Sequence, residues 1–155
     1  MRTLVVGLMA ATLLLNIGTA RAGCGSMPGD EAAVIAARSA AASTCNCATA
    51  TNHGQYVKCV AGVAKSRVTA MQLPKNCTGA VKRCAAHSSC GKPGFVTCCI
   101  TKNGNTKCKV VKDTATCSLK GGTPTVDPMN TSCCSNTHPL TENACMASPS
   151  GAFLN

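Results

Sequence analysis

The spacing of apolar residues changes character twice along this chain. Arg2 precedes a mostly apolar run of fourteen positions, Leu4 to Ile17, and Ala20-Arg21-Ala22 follows with small residues at the outer positions. That order is the pattern of a secretory signal peptide over residues 1–22, with the mature chain starting at Gly23. Fourteen positions fall short of the roughly 20 that a spanning helix needs, so no transmembrane segment is expected in the mature chain. Asp30 and Glu31 then open an Ala-rich run to about Ala42, acids in the first turn of a predicted helix. Asn52 with Gln55 three residues on is a capping-box variant, and Val57, Val60, Ala64, Val68 and Met71 recur at helical intervals until Leu73-Pro74. A third helix is predicted from near Cys77 to Ala86, with Cys77, Val81 and Cys84 along one side and Gly91 near its end.

After Pro93 the period becomes that of strands. Phe95 to Ile100 and Lys107 to Lys112 are rich in β-branched residues and flank Asn103-Gly104, a strong hairpin signal. With those two residues in a type I′ turn, Lys102 faces Asn105 and Cys99 faces Cys108 in a non-hydrogen-bonded pair, where a cross-strand disulfide is stereochemically feasible. Cys98 then points to the other face and is expected to tie the hairpin back to the helices. Residues 118–155 carry Gly121, Gly122, Pro124, Pro128, Pro139 and Pro149 with little periodicity, and are read as loops held by cysteines. The fold class predicted is therefore small, disulfide-rich α+β. Two or three short N-terminal helices (about 30–91) precede a β-hairpin and a loop-rich C-terminal region (about 93–146), in one domain over 23–155.

Composition changes the picture of the core. The 155 residues hold no Trp, one Tyr and two Phe, so Ala, Val and Cys must fill the interior. All 14 cysteines (24, 45, 47, 59, 77, 84, 90, 98, 99, 108, 117, 133, 134 and 145) lie beyond residue 22. An export signal and an even thiol count together predict seven disulfides in an oxidising compartment, extracellular or periplasmic. Lipidation at Cys24 would leave an odd number. The possible pairings number on the order of 10^5, so spacing alone does not give connectivity. From Cys90 onward the order Cys90, Cys98-Cys99, Cys108, Cys117, Cys133-Cys134, Cys145 resembles that of fungal hydrophobins, which implies a surface-active coat protein. The likeness is confined to the second half, and six cysteines lie outside it.

Charge is placed unevenly. Twelve Lys/Arg between Lys58 and Lys120 stand against the single acid Asp113, a net of +11 within a chain of formal charge +10. Ten of the twelve are lysines, point charges suited to diffuse attraction. A solvated face is one reading; the other is a polyanion partner such as an anionic polysaccharide or a lipid headgroup surface. Nucleic acid fits less well, because Tyr56 and Phe95 are the only stacking platforms in reach. The contact residues predicted are Lys82, Arg83, Lys107, Lys109 and Lys112.

Little else in the sequence carries chemistry. There is no C-x-x-C pair, and Cys45-Asn46-Cys47 and His87 with Cys90 are poor metal spacings, so no metal or cofactor is expected. His53 and His87 read as cap or surface histidines. The five carboxylates form no pair beyond Asp30-Glu31, no G-x-S-x-G elbow accompanies His53, His87 or His138, and no catalytic residue is assigned. Asn76 and Asn130 head N-glycosylation sequons. The function expected is non-enzymatic binding or a structural role outside the cell. The alternative is a secreted inhibitor or toxin-like effector that presents a disulfide-braced loop, Lys102 to Thr106.

Overall fold

The protein is described from a computed structural model covering residues 23–125, 132–134, 140 and 145. The signal-peptide reading and most of the C-terminal loop reading lie outside those residues. Helix α1 (Asp30–Thr44) begins as expected, but Asp30 does more than favour the helix dipole. It is buried, and its Oδ2 accepts hydrogen bonds from Gly25 N (2.8 Å) and Met27 N (3.3 Å), folding the N-terminal lead back onto the helix. Helix α2 (His53–Thr69) starts at the predicted cap, where Gln55 N donates to Asn52 Oδ1 at 2.9 Å. The reciprocal arm of the box is replaced: Thr51 Oγ1 donates to the Gln55 side-chain oxygen.

Helix α2 stops earlier than its apolar spacing suggests. Met71 takes a left-handed φ of 56°, and Gln72 N reaches back to Arg67 O at 2.8 Å while Met71 N reaches Val68 O at 3.0 Å. That is a Schellman end with methionine where glycine is usual. A 3-10 turn, Lys75–Cys77, leads into α3 (Thr78–Ala86). The three helices enclose a core of Val34, Ala37, Ala41, Cys45, Val60, Ala64, Leu73, Cys77, Val81 and Ala85. Small side chains allow close helix approach, the packing forced by the lack of aromatics. Gly91, read as a helix end, instead permits a close backbone crossing. At φ 67° it passes so near the α2 cap that a Cβ would lie 2.4 Å from Asn52 C.

The hairpin forms in the predicted register. Strands β1 (Val96–Lys102) and β2 (Asn105–Val111) pair Lys102 with Asn105 and Cys99 with Cys108, around Asn103 (φ 52°) and Gly104 (φ 74°). Two elements were missed, one starting between the hairpin and the stretch 118–155 read as loop and one within that stretch. Helix α4 (Thr114–Leu119) is capped by Asp113, whose Oδ1 accepts from Thr116 N at 2.6 Å. Strand β3 (Gly122–Thr125) adds antiparallel to β1, making a three-stranded sheet of order β2-β1-β3. Pro124 is tolerated because β3 is an edge strand, and Gly122 because a Cβ there would sit 2.5 Å from Cys98 Sγ.

Six disulfides join twelve of the cysteines. Cys24–Cys77, Cys45–Cys59 and Cys47–Cys90 staple the helices. Cys98–Cys117, Cys99–Cys145 and Cys108–Cys133 staple the sheet, α4 and the tail. The cross-strand pair Cys99 with Cys108 is therefore corrected: the two oppose each other, yet each bonds to the tail instead. The ladder already holds opposed strand neighbours, whereas Cys133 and Cys145 lie outside the sheet and are joined to it by these bonds. Cys98 likewise ties to α4 and not to the N-terminal helices. The molecule is thus a disulfide-rich α+β protein with cross-links of the kind an oxidising compartment maintains.

Candidate functional site

The basic residues owe their exposure to where their elements sit. Strand β2 is an outer strand, and its alternation leaves Asn105, Lys107 and Lys109 exposed while Thr106, Cys108 and Val110 are half-buried. Lysines on an edge strand also discourage pairing with another sheet. On α3, Lys82 and Arg83 are exposed beside buried Val81 and Ala85, and Lys112 is exposed where β2 ends. Of the twelve Lys/Arg from Lys58 to Lys120, ten are exposed; Arg67 and Lys92 are half-buried.

Two of the three described carboxylates are engaged in structure, and the third, Glu31, is exposed at the start of α1. Asp30 is taken by the backbone of the N-terminal lead and Asp113 by the α4 cap. The Thr116 hydrogen bonds hold the Asp113 carboxyl below its ordinary 3.8, with a smaller contribution from Lys112.

Two hollows gather cations, and each takes one of the five predicted contact residues. One, of about 310 Å³, lies between the end of α3 and β2 and is lined by Ala86, His87, Lys92, Cys108, Lys109, Val110 and Cys133. The other, of about 210 Å³, brings Arg83 together with Arg38 and Asn76 near the start of α3. Neither lining includes a carboxylate. Lys82, Lys107 and Lys112 line neither hollow, so the five do not form one constellation.

Sequence reasoning missed Arg38 and passed over Lys92 as a contact. Arg38 sits among the buried Val34, Ala37 and Ala41 of α1, and its Nη2 donates to Ala80 O at 3.1 Å. An arginine beside the apolar stripe of an Ala-rich helix was the available signal. His53, read as a cap or surface residue, is a clamp: Nδ1 lies 2.9 Å from Cys90 O and Nε2 3.1 Å from Ala86 O.

A third cluster lies between the helices. Tyr56, Cys84 and Ser132 line a small hollow of about 120 Å³ together with Val60, Val81 and Ala85. Burial raises the Tyr56 hydroxyl above its ordinary 10.0, and Cys84 and Cys134 add to the effect. One further group has metal-like composition: Cys24, Asp30 and Cys77 place their donor atoms within 4.8 Å of one another. Its sulfurs are bonded to each other, and a metal needs thiolates, so this group is a structural bridge. Among the described residues no helix is long and apolar enough to cross a membrane.

The chain matches no protein-family model, no curated protein and no solved structure. The cysteine order shared with hydrophobins therefore carries no family membership.

Proposed function

We propose that the protein is exported and acts without catalysis, binding anionic polymers or anionic envelope surfaces through its exposed cations. The observation that supports this most is the imbalance of exposure: ten cations from Lys58 to Lys120 face solvent while Asp30 and Asp113 are committed to backbone hydrogen bonds. An uncompensated field of this kind draws polyanions and weakens as salt screens it. The two hollows give the attraction places to concentrate, Lys92 with Lys109 in one and Arg38 with Arg83 in the other.

Elution from immobilised heparin tests the reading. The protein should be retained at low ionic strength and elute earlier with Lys107→Glu/Lys109→Glu, and earlier still when Lys82→Glu/Arg83→Glu is added. Retention insensitive to salt, or unchanged by these reversals, would overturn it. The effector alternative has one observation behind it, the exposed hairpin tip from 101 to 105. An activity that survives the α3 reversals and is lost on changing Asn103 and Gly104 would move the assignment there.

A further inference from the structure

The six bridges divide the chain without crossing. Three fall within residues 24–90 and three within 98–145, so none joins the helices to the sheet. The two remaining cysteines fall one on each side: Cys84 is on α3, and Cys134 follows Cys133, which is bonded to β2.

These two are brought together by the segment 132–134. Ser132 forms an antiparallel bridge with Ser88, and Cys133 N donates to His87 O at 3.0 Å, laying the segment along the end of α3. Ser132 Oγ lies 3.3 Å from Cys84 Sγ and accepts from Cys134 N at 3.4 Å, so one hydroxyl touches both residues. Both cysteines also act on the same Tyr56 hydroxyl.

We propose that Cys84 and Cys134 form a seventh disulfide, the covalent tie between the helical half and the sheet half. The vicinal pair Cys133-Cys134 is then a clasp, with one sulfur holding β2 and the next holding α3. Cys84 is half-buried and Cys134 buried, which sets the order of events. The Cys84 thiolate attacks a disulfide oxidant, such as a small-molecule disulfide or a dithiol oxidoreductase in its oxidised form, and releases one thiolate of that reagent. The Cys134 thiolate attacks Cys84 Sγ in the mixed disulfide and expels the second. Two protein thiols are oxidised, their two protons pass to the departing thiolates, and the oxidant leaves as two thiols.

The division of bridges provides a test that does not depend on refolding. Phe95 lies between the two groups and is exposed, and the chain has no methionine between Met71 and Met129. The exported full-length protein carrying Phe95→Met is cut with cyanogen bromide, unreduced, after methionines 27, 71, 95, 129 and 146. With the Cys84–Cys134 bond, the fragments from 23 to 146 stay in one disulfide-linked species. That species must split in two, 23–95 and 96–146, when Cys134→Ser is added. Two species without that second change, or one species with it, would overturn the proposal. Alkylation of the unmodified exported protein after denaturation without reductant gives a second reading: no label is expected, and two labels at Cys84 and Cys134 would equally overturn it.

Discussion

The helical half and the sheet half carry three described bridges each, yet they differ in what those bridges add to. In the helices, ten buried side chains form a continuous apolar seam, and Cys45 and Cys77 are packed within it. Under the sheet the corresponding group is Cys98, Val111 and Cys117, two of which are bonded to each other. Cross-links in the first half reinforce packing that α1, α2 and α3 already supply. In the second half they stand in for it, because four short elements cannot bury enough apolar surface to offset the entropy of ordering them.

The largest expected effect tests that difference directly. Cys98→Ala/Cys117→Ala removes a bridge and most of the sheet core in one step, a loss of about 2–5 kcal/mol for a native disulfide in a small domain. Amide exchange should accelerate through β1, β2, β3 and α4 and stay slow in α1 and α2. Equal acceleration in both halves would mean that they share one cooperative unit. Leu73→Ala is the counterpart in the helices. Among the described residues Leu73 is the bulkiest side chain that is fully buried, and its truncation should cost about 2–5 kcal/mol. Here protection should fall in α1, α2 and α3, with the sheet still held by its three bridges.

Smaller changes at the two ends of α2 sharpen the account of the helical half. Asn52→Ala removes the acceptor for Gln55 N and should lower stability by about 1 kcal/mol in thermal melts. Met71→Gly should do the opposite, raising it by about 0.5 kcal/mol. The side chain is 94% exposed and packs little, and glycine relieves the left-handed backbone at only its usual entropic cost.

What the sequence made legible follows the same division. The α2 cap, the hairpin turn and the strand register are set by residues within a few positions of one another, and Asn52, Asn103 and Gly104 announce them. Helix α4 and strand β3 were not legible for two distinct reasons. Asp113 caps only six residues, too short a stretch for a periodicity to show. Gly122 and Pro124 are turn formers by composition, and their strand conformation is imposed by β1 alongside. Bridge partners were the least legible: Cys99 and Cys108 share a face by register, but their bonds to Cys145 and Cys133 depend on a tail path that local pattern does not encode. The site divides likewise. Exposure of Lys82, Arg83, Lys107, Lys109 and Lys112 could be anticipated, whereas the meeting of Arg83 with Arg38, and of Lys109 with Lys92, arises only from tertiary packing.

Acid and alkali should separate the two halves more gently than mutation does. Asp113 caps α4 in the sheet half, and its carboxyl is held below 3.8 by the Thr116 hydrogen bonds. A depressed carboxylate contributes stability that is present above its unfolded pKa and is lost as pH falls through the folded one. Exchange of the α4 amides should therefore quicken below about pH 4, modestly because solvent reaches the half-buried group, and Asp113→Asn should flatten the response. Tyr56 works at the other end, in the helical half. Its hydroxyl is raised above 10.0 chiefly by burial, so its contribution is complete below that pH and lost as pH rises through the folded value. Ultraviolet difference absorbance of the phenolate should show ionisation later than in a free tyrosine. Because burial is the larger cause, this delay should persist when the Cys84 and Cys134 thiolates are absent, and be somewhat greater when reduction supplies them. Ionisation at the ordinary value would mean that Tyr56 is open to water, and that the small hollow it shares with Cys84 and Ser132 is not closed in solution.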